Sequence, residues 1–99
     1  MTINTKQEGS KMTIALEGRL DTLTAPDLET VVKEQLHGIS DLVIDLKDIV
    51  YVSSAGLRVL LAAQRIMNRQ GSMVIRNANE DVMEIFDVTG FVDILNIES

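Results

Sequence analysis

The sequence predicts an α/β domain: a mixed sheet of four to five strands, with the first strand antiparallel and the helices mainly on one face. Three observations predict it. Apolar segments alternate between a period of two and a period of 3.6 in the order β-β-α-β-α-β-α. Gly9-Ser10 joins the first two segments as a hairpin. The later strand–helix–strand crossovers are right-handed, so strands two, three and four are parallel and both crossover helices share a face. Finally, Thr13, Glu17, Asp45 and Arg76 give the opposite face a partly polar character, unlike strands covered on both sides.

Taken in order, Thr2 to Gln7 alternates weakly around Ile3 and reads as a polar edge strand. Lys11 to Glu17 alternates well, with Met12, Ile14 and Leu16 on the core side. After Gly18-Arg19-Leu20-Asp21, Thr24 is placed to cap a helix, Pro26 suits its first turn, and Asp27 and Glu29 add negative charge where the dipole favours it. Leu28, Val31, Val32 and Leu36 form the buried stripe, and Gly38 ends the helix. Leu42 to Leu46 is a strand, Lys47-Asp48 a bend, and Ile49 to Val52 an extended lead-in to a helix starting near Ala55. That helix puts Arg58, Arg65 and Arg69 on a solvated face opposite Leu57, Leu60, Leu61, Ala63 and Met67, and stops at Gly71. Met73 to Arg76 is the next strand. Asn79 caps a third helix that carries Val82, Ile85 and Phe86 and stops at Gly90, and Ile94 to Ile97 adds a short last strand.

Ninety-nine residues with 45% hydrophobic content fit a single domain spanning residues 1–99. The formal charge of −6, without Lys/Arg runs, argues against binding to nucleic acid or to an anionic membrane surface. The lack of cysteine excludes disulfides, zinc-thiolate sites and thiol nucleophiles. No apolar run reaches the ~20 residues of a membrane span, and the amino terminus lacks the apolar core of a signal peptide, so the expected location is the cytoplasm. The weak edge around Ile3 suits a monomer or a weak dimer.

The candidate site is the start of the central helix. Ser53 and Ser54 lie where unpaired backbone N–H groups and the positive end of the helix dipole favour an anion. Asp21 leaves its strand at the same carboxyl edge of the sheet, where ligands gather in such folds. His37 lies at the far end of the first helix, roughly 18 Å away for about 12 residues at ~1.5 Å each, so it cannot act as a base for either serine. No Ser-x-x-Lys pair or phosphate-binding loop is present. The carboxylates Glu80, Asp81, Glu84 and Asp87 form a solvated helix face. No catalytic, cofactor or metal site is therefore expected, and the protein is read as acted upon rather than acting.

The stretch DLKDIVYVSSAGLRVLL (Asp45 to Leu61), with GRLD (Gly18 to Asp21) upstream and VTGF (Val88 to Phe91) downstream, resembles the STAS domain of bacterial anti-sigma factor antagonists over essentially the whole chain. The resemblance implies a STAS-like mixed sheet and a protein-interaction module. It further implies that a serine at the start of the central helix is phosphorylated by an anti-sigma serine kinase and dephosphorylated by a PP2C-type phosphatase. In such proteins the unphosphorylated form binds the anti-sigma factor and frees the sigma factor. Alignment on Gly56-Leu57 places the acceptor at Ser54. Ser53 stands where the family pattern has Asp, and Ala55 where it has a second hydroxyl, which leaves Ser53 open as an acceptor. The implied partner surface is Asp21, Ser53, Ser54, Gly56, Leu57 and Arg58. A rival with the same fold is a constitutive STAS adaptor of a signalling or lipid-transport complex, in which Ser54 is not phosphorylated.

Overall fold

In the computed structural model, which describes residues 1–98, five strands pair in the order of the chain. Strand β1 (Thr2–Glu8) is antiparallel to β2 (Lys11–Leu20), and β2, β3 (Asp41–Val52), β4 (Ser72–Arg76) and β5 (Ile97–Glu98) are mutually parallel. Helices α1 (Ala25–Gln35), α2 (Ser54–Gln70) and α3 (Glu80–Thr89) fill the connections, followed by a single 3-10 turn at Phe91–Asp93.

The register explains the core. Met12 pairs with Leu42 and Leu42 with Met73, and one step on, Ile14 pairs with Ile44 and Ile44 with Ile75. All six are buried on the helix side, because side chains two apart share a face. Leu28, Val32 and Leu36 of α1 and Leu57, Leu60, Ala63 and Met67 of α2 close over them. The row Thr13, Val43, Val74 and the row Ala15, Asp45, Arg76 belong to the other face, whose mixed polarity matches the expectation.

Four local expectations change. Lys47-Asp48 is not a bend: β3 runs unbroken to Val52, and β2 continues beside it to Leu20. The register shifts between Ala15/Glu17 and again between Gly18/Arg19, each time with one extra residue on β3, so two bulges absorb the polar residues without ending the strand. Thr24 stands at the start of α1 but makes no side-chain cap; its hydroxyl is engaged elsewhere, as described below. Helix α2 starts at Ser54, one residue before the expected position. The last strand is Ile97–Glu98 rather than Ile94–Ile97, because Ile94 and Leu95 donate their N–H groups to the carbonyl of Phe91 and complete the 3-10 turn instead. The caps at Asn79 and Gly90 stand as expected: the Asn79 side chain accepts from Val82 N–H, and Gly90 adopts the left-handed conformation at φ 79°.

Candidate functional site

The carboxyl ends of β2 and β3 meet at one hydrogen bond: Ser53 N–H donates to the carbonyl of Leu20 at 2.8 Å. That bond brings the Asp21 turn and the start of α2 together, as the sequence requires. The two serines then divide their work. Ser53 has extended backbone, and its Oγ accepts from Gly56 N–H at 3.3 Å while its carbonyl accepts from Leu57 N–H at 2.9 Å, so it is the capping residue. Ser54 is the first helical residue and is exposed, so its hydroxyl is presented to solvent above the unpaired amides of the first turn. No carboxylate lies in that turn.

Asp21 is half-buried and turned into its own loop. Its Oδ1 accepts from Leu23 N–H (3.0 Å), Thr24 N–H (3.2 Å) and the Thr24 hydroxyl (3.2 Å). The same hydroxyl is 2.7 Å from the Arg19 carbonyl and accepts from Asp21 N–H at 2.9 Å, which is why it is not free to cap α1. Arg19 lies 3.7 Å from Asp21 Oδ2 and stacks over the Tyr51 ring at 4.6 Å. Partial burial pulls the Asp21 carboxyl upward, but the Thr24 and Leu23 amides, the Thr24 hydroxyl and Arg19 outweigh it and hold the group below its usual value.

Of the six residues implied as partner surface, Ser54 and Arg58 are exposed, Ser53 and Asp21 are partly so, and Gly56 and Leu57 are buried. The last two are corrected to supports. Gly56 packs so closely on β2 that a Cβ there would stand 2.7 Å from Leu20 Cγ and 2.8 Å from the Leu20 carbonyl oxygen. Arg58 instead borders a shallow groove of about 180 Å³ between the first turns of α1 and α2, which also touches Thr22, Pro26, Glu29 and Ala55. His37 is exposed at the opposite edge, next to the Ser40–Ser10 contact that ties the amino ends of β2 and β3.

Sequence reasoning missed Leu23, 86% exposed at the tip of the Asp21 turn. The signal available was an apolar residue in an otherwise polar segment between strand and helix.

A family model described as "Mlab, STAS domain" matches residues 3–96. The chain belongs to the STAS family. Among STAS relatives, the anti-sigma-B factor antagonist of Bacillus subtilis is 31% identical over 98 residues, covering 98% of this chain and 90% of its own length. Among solved structures, an anti-sigma factor antagonist from Mycobacterium paratuberculosis superposes with a TM-score of 0.86 at 21% identity, covering 97% of this chain and 83% of that one. The Bacillus cell fate determinant SpoIIAA in its phosphorylated form gives a TM-score of 0.68 at 13% identity, with 99% and 92% covered. These structures share the STAS fold of one mixed five-stranded sheet and three helices. Among the described residues of this STAS domain, no helix is long and apolar enough to cross a membrane.

Proposed function

We propose that this STAS domain is an anti-sigma factor antagonist switched by phosphorylation at Ser54. In this reading the unphosphorylated form docks on an anti-sigma serine kinase through Ser54, Arg58 and the Asp21 turn, and so releases the sigma factor. A PP2C-type phosphatase restores that form after phosphorylation. The observation that carries the reading is the division of the serine pair: Ser53 makes the cap, and the Ser54 hydroxyl is left exposed on the helix start.

The physics of the switch follows from that placement. A phosphate on Ser54 adds about −1.5 to −2 charge and three acceptor oxygens. On the free domain the charge sits beside unpaired amides and the positive helix end, with no first-turn carboxylate to repel it, so the fold tolerates it. In a docked complex the same group must be desolvated, which costs several kcal/mol unless the partner supplies matching donors. Binding is therefore lost without unfolding. Asp21 contributes by holding the neighbouring turn in shape, and its charge lies on the same edge.

The test is incubation with a purified anti-sigma serine kinase and ATP, site mapping by mass spectrometry, and binding measurements on variants. Phosphate is expected on Ser54 and absent from Ser54→Ala. Ser54→Asp is expected to lose binding while its circular dichroism stays native; an Asp variant that binds as tightly as wild type refutes the switch. The second reading, a constitutive adaptor, draws on Ser53 standing where the family pattern has Asp, and on the Mlab description of the matching family model. It requires that no kinase-dependent phosphate appears on either serine.

A further inference from the structure

Ser53-Ser54-Ala55-Gly56 sets side by side two residues with the chemistry of a helix cap, and only one of them is used as such. Ser53 is extended (φ −87°, ψ 175°) and serves two amides of the first turn: Gly56 N–H donates to its Oγ at 3.3 Å, and Leu57 N–H to its carbonyl at 2.9 Å. Among the described residues the Ser54 hydroxyl has no hydrogen-bond partner. The difference is one of position rather than chemistry. Were α2 to begin one residue later, Ser54 would be the cap, with its Oγ accepting from Leu57 N–H and its hydroxyl drawn into the first turn. The count of acceptors decides between the two starts. In the observed start Ser53 offers two acceptors to the Gly56 and Leu57 amides; in the later one Ser54 Oγ alone would serve both. The backbone on either side of Ser54 is held by Leu20, whose carbonyl accepts from Ser53 N–H at 2.8 Å and against which Gly56 packs too closely for a Cβ. Neither of those contacts uses the Ser53 hydroxyl.

We infer that Ser53 is a positioning residue for phosphoryl transfer to Ser54: by capping α2 it keeps the Ser54 hydroxyl out of the cap and presented to the kinase. The inference rests on the reading of Ser54 as the acceptor. In the step itself Ser54 Oγ forms a bond to the γ-phosphorus of ATP while the bond from that phosphorus to the β,γ-bridging oxygen breaks; ADP departs, and the hydroxyl proton passes to a base of the kinase. An Oγ that is accepting a backbone N–H has a lone pair committed to the helix and is turned away from an incoming phosphorus, so a molecule with Ser54 in the cap is a poor acceptor. Removing the Ser53 hydroxyl leaves one acceptor for the two amides in either arrangement, its carbonyl in the observed start or Ser54 Oγ in the later one. The Ser54 hydroxyl is then divided between cap and solvent. Arg58 and the Asp21 turn are untouched, so docking is kept and the loss falls on kcat rather than on KM. The role needs a cap acceptor and not a charge, so Ser fulfils it where the family pattern has Asp.

The test compares wild type, Ser53→Ala and Ser53→Asn in two measurements: initial rates with a purified anti-sigma serine kinase and ATP, and NMR shifts of the isotope-labelled proteins without kinase. Asn caps as well as Ser and has no hydroxyl, so it separates capping from any use of Ser53 as an acceptor. Ser53→Ala is expected to lower kcat about fivefold, the weight of one cap, with KM within about twofold of wild type. Ser53→Asn is expected to restore kcat. The Ser54 Cα and Cβ shifts are expected to move from helical toward cap values in Ser53→Ala and to stay helical in Ser53→Asn. A Ser53→Ala variant phosphorylated as fast as wild type overturns the inference. An Asn variant as slow as the Ala variant also overturns it, because the Ser53 hydroxyl would then serve the kinase directly. A wild type that takes no phosphate on Ser54 refutes the acceptor reading, whereas Ser54 shifts that stay helical in Ser53→Ala refute the positioning role whether or not the acceptor reading holds.

Discussion

Replacing Gly56 by Ala sets two effects of opposite sign against each other. Within a helix, Gly is about 1 kcal/mol worse than Ala, so on propensity alone Gly56→Ala would stabilise. The structure says otherwise. The new Cβ would lie 2.7 Å from Leu20 Cγ and 2.8 Å from the Leu20 carbonyl oxygen, where ordinary carbon contacts need about 3.5 Å or more. Leu20 has no room to yield: its side chain is fully buried, and its carbonyl is held by Ser53 N–H. Helix α2 must therefore lift from β2 by a sizeable fraction of an ångström, and overpacking of that kind costs about 1–3 kcal/mol. With the propensity gain of about 1 kcal/mol deducted, the net loss is about 0–2 kcal/mol, or a fall in Tm of up to roughly 16 °C for a domain of this size. Urea unfolding is the assay, with a lower midpoint and an unchanged slope as the expected signature. A midpoint above that of wild type, the propensity gain with no clash to offset it, would refute the close-approach account of Gly56.

The serine pair is expected to respond unequally to truncation. Ser53→Ala should cost about 1 kcal/mol by removing the cap on Gly56 N–H, while Ser54→Ala should stay within about 0.5 kcal/mol, both read from denaturant midpoints. Asp21 gives a pH signature. Its carboxyl is held below the usual value of 3.8, so the folded state favours the ionised form; that stabilisation is fully present above the unfolded value and is lost as pH falls through 3.8 and below. Asp21→Asn should therefore be less stable than wild type near neutrality, with the difference closing in acid. A gap that stays constant from pH 6 to pH 3 would contradict the assignment.

The parts of the fold that follow from burial were legible before any coordinates, because a sheet face or helix stripe must repeat at its own period: Met12, Ile14 and Leu16 on β2, and Leu57, Leu60 and Met67 on α2, are where the pattern puts them. What the sequence hid was decided by competition between partners. Thr24 has the chemistry of a cap, but the Arg19 carbonyl and Asp21 claim its hydroxyl. Lys47 and Asp48 have the polarity of a bend, yet a bulge tolerates the same residues inside a strand. Gln64, on the buried side of α2, escaped notice because its partners, Asn68 and the distant Asn96 amide, become visible only once the chain is folded. At the candidate site the helix start and its serines were readable from type and position. Which serine caps and which is presented depended on where the helix begins, by a single residue. The exposure of Leu23 depended on a turn that no periodicity encodes.

The paired bulges of β3 behave like two compensating frameshifts. Leu42, Ile44 and Leu46 face the core on even positions, the first extra residue moves the core to Ile49, and the second restores it at Val52. One insertion alone would have left the strand out of phase, with Val52 aimed away from the helices and the next residue launching α2 from the wrong side of the sheet. With two, the chain leaves β3 in its original phase, and the serine edge inherits the orientation set ten residues earlier.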